Sequence, residues 1–306
     1  MRIESTPFGR RLALVALAAP VLQACAGPLP PVSAAATTDA ARALLATSAA
    51  AHGAAGFAAI DDISVSYAGE WRALVGRIQP VLVDAGFRGQ SEERLLLRAG
   101  IVSQAHRGPE GDKQVVRQTA PAGPGTIRVW FNGAETAERD QRDAAAAVVD
   151  AYSLFLLGPL LLAGGWATDR ALTMEVAGAE RIEVGGISHD CDVLRLRLAP
   201  GFGFSAAEQV ELLIDRGERM MRRLRFTLDG LRSTQGTVAE VDFSAHVTQH
   251  GVRWPTRFAE RLLRPLPIAV HDWRLTGLDL NRGLAAVDLA GPMFAGRAAV
   301  PAAALV

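Results

Sequence analysis

The chain is nearly without cysteine: Cys25 and Cys191 are the only two among 306 residues, which rules out a fold stapled by several disulfides. Lysine is scarcer still. Lys113 stands alone and the other cations are arginines, a bias that a GC-rich genome explains before any guanidinium-specific recognition does. Net charge is absent as well, 32 basic residues balancing 32 acidic ones, which argues against a nucleic-acid partner or a polybasic membrane contact. No H-E-x-x-H, G-x-S-x-G or P-loop pattern occurs, so an enzyme would have to work without a known motif. What the chain does have is apolar material, 49% of its residues, enough for one substantial core.

That material begins at once. Arg2, Arg10 and Arg11 precede the run Leu12 to Ala24, a basic start and an apolar stretch of secretory-signal length, short of the about 20 apolar residues that a permanent span needs. The run ends in L-Q-A-C, Leu22 to Cys25, which resembles the lipobox of bacterial lipoproteins, whose cysteine becomes the acylated first residue of the mature chain. An ordinary signal peptide with an incidental cysteine is the competing reading. The proline-rich and then small, uncharged stretch Pro28 to Thr38 suits an extended tether.

From Thr38 the grammar is that of a folded body. Thr38 or Asp39 as N-cap, an alanine-rich run and Gly53 as C-cap predict a helix over 38–53. The alternation of Ile63, Val65 and Tyr67 against Asp62, Ser64 and Ser66 then predicts a strand with one covered face. Ala73 to Gly86 is ambiguous because Pro80 interrupts it, while E-E-R-L-L-L-R-A-G-I-V-S-Q-A-H, K-Q-V-V-R-Q-T and T-I-R-V-W-F-N-G read as consecutive strands of an antiparallel meander.

Between Arg139 and Gly165 lies the strongest helical signal. Asp150 inside the run and Gly158-Pro159 after it argue against a membrane span; a helix from about Arg142 to Leu157 and a second apolar piece, Leu160 to Ala163, fit better. A helix that apolar must be covered or must itself cover something. Strands resume with Leu194, Leu196 and Leu198 facing away from Arg195 and Arg197, and with hairpins around Gly185-Gly186 and Asp215 to Glu218. Further strands are expected at Gly236 to Phe243, Val252 to Leu263 and Ala269 to Leu278. Arg222, Arg223 and Arg225 could meet a lipid headgroup, though arginines on a solvated strand face are expected in any case.

Three patterns carry the letters of chemistry without its context. G-F-G-F-S-A, Gly201 to Ala206, has the glycines of a dinucleotide loop but no room after it for a crossover helix and return strand; Ser205 and Glu208 could instead form a capping box. His189-Asp190-Cys191 lacks a residue to orient a base, so Cys191 reads as a buried small apolar residue. His246, His250 and His271 are the only histidines whose segments could converge on a metal, and their spacing is no zinc signature; no metal and no cofactor is expected.

The order of acylated cysteine, tether, helix, long meander, inserted apolar helix pair and hairpins resembles the periplasmic lipoprotein carrier and acceptor superfamily, the Lol carrier-like unclosed β-barrels. The most similar stretches are Glu180 to Pro200 and Val210 to Arg216. The resemblance implies an α+β fold, a curved antiparallel sheet forming an unclosed half-barrel, with helices covering its concave apolar face. It divides the chain into a signal peptide at 1–24, acylated Cys25 and tether at 25–37, a half-barrel domain at 38–285 and an apolar small-residue tail at 286–306. It also implies a non-enzymatic lipoprotein on the periplasmic side of the outer membrane that binds a lipid, lipoprotein or other apolar ligand, with Tyr152, Phe155, Leu156, Leu160 and Leu161 as candidate lid residues. The alternative is a structural or interaction module of the cell envelope, with a solid core and another envelope protein as partner.

Overall fold

A computed structural model describes residues 29–33, 37–119, 125–164 and 171–292. Helix α1 (Asp39–His52) starts and stops as its sequence directs: the Thr38 side chain accepts a hydrogen bond from the Ala41 amide, and Gly53 takes the left-handed conformation that closes the last turn. A single turn, α2 (Ala54–Phe57), leads into β1 (Asp62–Trp71). Two short helices follow where Pro80 made the reading ambiguous, α3 (Ala73–Ile78) and α4 (Pro80–Val83), with the proline at the first position of the second helix, where no N–H is needed. The meander is β2 (Gln90–Leu96), β3 (Ile101–Gly108), β4 (Gly111–Gln118), β5 (Thr126–Phe131) and β6 (Ala134–Glu135). The apolar insertion is α5 (Arg139–Leu157) and α6 (Pro159–Ala163), divided at Gly158.

The second half holds β7 (Ala171–Val184), β8 (Ile187–Ala199), β9 (Glu208–Asp215), β10 (Met221–Thr227) and β11 (Val238–Ser244). A small separate hairpin, β12 (Val247–Gln249) with β13 (Val252–Trp254), precedes β14 (Arg257–Arg264) and β15 (Ile268–Leu280). Glu208 opens a strand, so Ser205 to Glu208 is no helix start. The stretch Val252 to Leu263 is two strands, broken at Pro255-Thr256. A last helical turn, α7 (Ala286–Leu289), puts Leu289 into a buried cluster with Leu96 and Ile101, so part of the expected tail packs on the body.

Thirteen of these strands form one antiparallel sheet, in the order β6-β5-β4-β3-β2-β1-β15-β14-β11-β10-β9-β8-β7. The first and last strands pair with each other in its middle, Ile63 opposite Leu280, so the free edges are β6 and β7. Those edges are consecutive in sequence, and the segment that joins them is α5–α6. The insertion therefore crosses the concave side of an open, curved sheet. Every residue of α5 from Ala144 to Leu157 is buried there, against the inward rows Leu194, Leu196, Leu198 and Val210, Leu212, Ile214.

Asp150 is buried in this helix without violating the cost of an interior charge. Its carboxylate accepts from Arg117 on β4 through Nε at 3.2 Å and Nη2 at 3.1 Å, and from the Gly203 amide at 2.9 Å. The guanidinium also donates to the carbonyls of Gly203 and Thr126. Gly203, the second glycine of G-F-G-F-S-A, has φ +60°, and a Cβ there would lie 2.8 Å from the Ala147 amide nitrogen. The loop that resembles a nucleotide cradle instead clamps the helix.

On the convex side charges alternate from strand to strand. Glu175, Arg195, Glu211, Arg225, Glu240 and Arg261 form a continuous row across β7, β8, β9, β10, β11 and β14, with nitrogen to oxygen distances of 2.6 to 3.7 Å. Arg223 is bound by Asp242 and Arg222 by Glu218, so none of the three arginines weighed for a headgroup lacks a carboxylate of its own. Directly opposed charges of this kind stabilise adjacent strands.

Candidate functional site

Between the short helices α3–α4, the middle of α5 and the inner faces of β10, β14 and β15 lies a cavity of about 300 Å³. It falls at the lower end of the about 300–1,000 Å³ typical of small-molecule sites. Ala147, Val148, Ala151, Tyr152 and Phe155 of α5 form one wall at helical spacing; Phe226, Leu228, Leu262 and Val270 supply the sheet side. Val75, Ile78, Leu82 and Val83 form the outer wall. Across the mouth the Gln79 side chain donates to the Ser233 carbonyl at 2.6 Å, tying the α3–α4 cover to the loop after β10. Leu74, Ile78 and Val81 on that cover, and Leu266 at the β14–β15 turn, keep large apolar surfaces exposed. A wider groove of about 760 Å³ on the outer face of β2–β5 is lined by charged and polar side chains such as Glu92, Arg94, Arg107 and Asp112.

Of the five expected lid residues, Tyr152 and Phe155 line the cavity, while Leu156, Leu160 and Leu161 are buried in the main core, where α6 packs against α1. The aromatic floor continues through Phe155 to Phe226 at 5.3 Å and to Trp273 at 6.0 Å between ring centroids. Trp71, His271, Trp273 and Phe258 stack in succession at 4.1, 4.5 and 4.9 Å. Gly69 makes room for that stack, because a Cβ there would lie 2.4 Å from the Trp273 Cβ.

Among the described residues the only charged side chain on the cavity wall is Glu260 of β14, 9% exposed, and its Oε2 has no hydrogen-bond partner. Burial pushes its carboxyl up to about 7 against the pull of Arg88. Trp71 and Tyr152 are shared with a second, polar pocket of about 20 Å³ lined by Arg88, Ser91, His106 and His271. Here the Arg88 guanidinium lies 5.3 Å from the Trp71 ring centroid and 5.8 Å from that of Tyr152. The Tyr152 hydroxyl and His271 Nδ1 are hydrogen-bonded at 3.0 Å; burial holds the imidazole down near 2 and the phenol far above its ordinary value, so the pair is neutral. Beyond it, Gln104 donates to Glu93 at 2.6 Å and faces His106. Burial raises Glu93 to about 8. The Asp84–Lys113 pair, 2.5 Å, anchors the end of α4 to β4.

No protein family matches this chain, and no curated protein does. Among solved structures it is similar to a LolA superfamily protein from Nitrosomonas europaea, 10% identical with a TM-score of 0.45 over 81% of this chain and 96% of the other. It is also similar to a protein from Vibrio parahaemolyticus described as an outer membrane lipoprotein-sorting domain, 10% identical with a TM-score of 0.41 over 81% and 97%. The lipoprotein LppX of Mycobacterium tuberculosis is 14% identical with a TM-score of 0.24 over 63% and 91%. At these scores none of them tells what this chain binds.

The remaining residues singled out in the sequence lie apart. Among the described residues no group of three His, Cys, Asp or Glu side chains could hold a metal ion, so His246, His250 and His271 do not form such a centre. His271 belongs to the aromatic stack, His246 is half-buried near His52, Arg222 and Arg253, and His250 sits in the tight turn before β13. His189 pairs with Asp215 at 2.8 Å, and Cys191 is fully buried beside Ile182, Val193 and Leu213, its thiol raised to about 11 by burial. Cys25 lies outside the described residues.

The sequence reading missed α3–α4 and Glu260. A signal for the second was there: in R-F-A-E-R-L-L, strand alternation puts Glu260 on the face of Phe258 and Leu262 and the arginines 257 and 261 on the other.

Proposed function

We propose that this chain is a lipid-anchored envelope protein that takes the apolar part of a lipid or of a lipid-bearing molecule into the half-barrel cavity. The cavity itself carries the reading: about 300 Å³ walled by α5, β10, β14 and β15, largely apolar, and covered by two short helices whose outer side is also apolar. Each methylene moved from water into such a space contributes about 0.8 kcal/mol. A chain of modest length is thus held without directional contacts. The cover is α3–α4, tied down by Gln79 and by the Asp84–Lys113 pair, and the exposed Leu74, Ile78, Val81 and Leu266 form the rim over which a chain enters. The resemblance of Glu180 to Pro200 and Val210 to Arg216 to lipoprotein carriers agrees with this use. Native mass spectrometry and solvent extraction of the purified protein test it: a co-purifying acyl lipid, or binding of an environment-sensitive apolar probe, is expected, and the absence of both overturns it.

A module with a solid core is favoured by one observation, the unbroken burial of α5 from Ala144 to Leu157, and the same absence of ligand would support it. Attachment through Cys25, on the periplasmic side of the outer membrane, is part of the proposal. The L-Q-A-C stretch, Leu22 to Cys25, after a basic start and an apolar run supports it. In cells fed labelled palmitate, the protein is expected to take up label and Cys25→Ser to take up none; label persisting in that variant contradicts the anchor.

A further inference from the structure

We propose that Glu260 selects the ligand: the cavity takes an apolar chain whose buried end is a hydrogen-bond donor, a hydroxyl or an amine, and turns away the carboxylate of a fatty acid. The inference rests on the cavity being a ligand site, as proposed above. Glu260 is nine-tenths buried and lines the cavity, and its Oε2, itself closed off from solvent, has no hydrogen-bond partner. A buried acceptor of this kind is costly to leave unmatched, and a donor brought in by the ligand removes that cost. Among the described residues no lysine, arginine or histidine lines the same space, so an incoming carboxylate would meet no cation and, wherever Glu260 is ionised, a like charge.

The surrounding groups enforce the distinction. Arg88, the cation that acts on Glu260, lines the neighbouring polar pocket, beyond the Trp71 and Tyr152 rings that the two spaces share. His271, opposite Glu260 on β15, is kept neutral by burial, and its Nδ1 is engaged by the Tyr152 hydroxyl, so it offers no cation to a carboxylate. Val241, opposite on β11, is apolar. With its carboxyl raised to about 7, Glu260 near neutral pH is present in both forms, the ionised one suited to an ammonium and either one to a hydroxyl.

The test uses the full-length protein in phosphatidylcholine nanodiscs and three photoreactive twelve-carbon probes that differ only at one end: dodecylamine, dodecanol and dodecanoic acid. Labelling of cavity residues such as Leu228 and Phe226 is quantified by mass spectrometry, and the ratio of the native protein to Glu260→Gln cancels each probe's partition into lipid. Amine labelling is expected to fall at least tenfold in Glu260→Gln and alcohol labelling severalfold in Glu260→Leu, with acid labelling weak in the native protein and stronger in both variants, which lack the like charge. Acid labelling as strong as amine labelling in the native protein, or amine labelling unchanged by Glu260→Gln, overturns the selectivity while leaving the cavity a ligand site. Labelling by none of the probes overturns the cavity reading, and this inference with it.

Discussion

Asp150→Asn is expected to cost about 3–5 kcal/mol of stability, the range for breaking a buried ion pair from one side. The variant keeps the shape of the side chain and removes its charge, leaving the Arg117 guanidinium, 1% exposed, without this carboxylate. The loss is structural as much as electrostatic. The same carboxylate holds the Gly203 amide, so Asp150 joins β4, α5 and the loop between β8 and β9, and Arg117 closes the triangle through the Gly203 carbonyl. Urea unfolding measures the loss. The double variant Arg117→Leu with Asp150→Leu is expected to recover a large part of it, since well-packed apolar residues commonly replace a buried pair at little cost. A single-variant loss below about 1 kcal/mol would remove the clamp from this account of the fold.

The second large effect is a stability maximum on the acid side of neutrality. Burial raises Glu93 to about 8 and Glu208 and Glu260 to about 7, from an ordinary value of 4.5. Burial also lowers His52 to about 4, His246 to about 3 and His271 to about 2, from 6.5, and drives His106 down as well. Between pH 4.5 and 6.5 the folded chain holds carboxyl protons that the unfolded chain has lost, so these carboxyls make stability fall as pH rises. Over the same interval the unfolded chain binds imidazole protons that the folded chain excludes, so the histidines make it rise. Four histidines against three carboxyls leave a net rise of one group over this interval.

Above 6.5 the histidine contribution is complete and the carboxyls continue alone, so stability declines towards pH 8. Below 4.5 the carboxyls are silent and stability falls with the histidines, joined by Glu240, which its arginine neighbours hold low against the effect of burial. Each titrating group contributes about 1.4 kcal/mol per pH unit. Urea midpoints across pH 3 to 9 are expected to rise to a maximum near 6.5 and fall beyond it, and Glu93→Gln to flatten the alkaline side. A stability that climbs from pH 6.5 to 8 contradicts these buried carboxyls.

Elements whose local rule and tertiary role agree were legible in the sequence. The caps of α1, the alternation of Leu194, Leu196 and Leu198, and the greasy girth of α5 each state their structure in one stretch of chain. The cover over the cavity does not. Helices α3 and α4, of six and four residues around Pro80, are too short for a helical period to show, and they are held by contacts distant in sequence, Gln79 to Ser233 and Asp84 to Lys113. The charges were legible as residues and not as pairs. Asp150 reads as a flaw in a membrane span until Arg117 is beside it, and Arg223 and Arg225 read as headgroup contacts or as an ordinary solvated face until β11 brings Asp242 and Glu240. The candidate lid divides for the same reason: Tyr152 and Phe155 share a face of α5 with Ala151, while Leu160 and Leu161 come after the Gly158 break and turn to α1.

Whether the cavity takes an apolar chain is tested most directly by comparing the native protein with Ala151→Trp. Ala151 sits on the α5 wall, and an indole grown from it occupies the space between α5 and the sheet. Native mass spectrometry after loading with a single-chain alcohol is expected to show one bound chain on the native protein and none on Ala151→Trp, with the thermal unfolding of the two proteins similar. A bound chain that survives in Ala151→Trp, or its absence from both proteins, would contradict the cavity as the site.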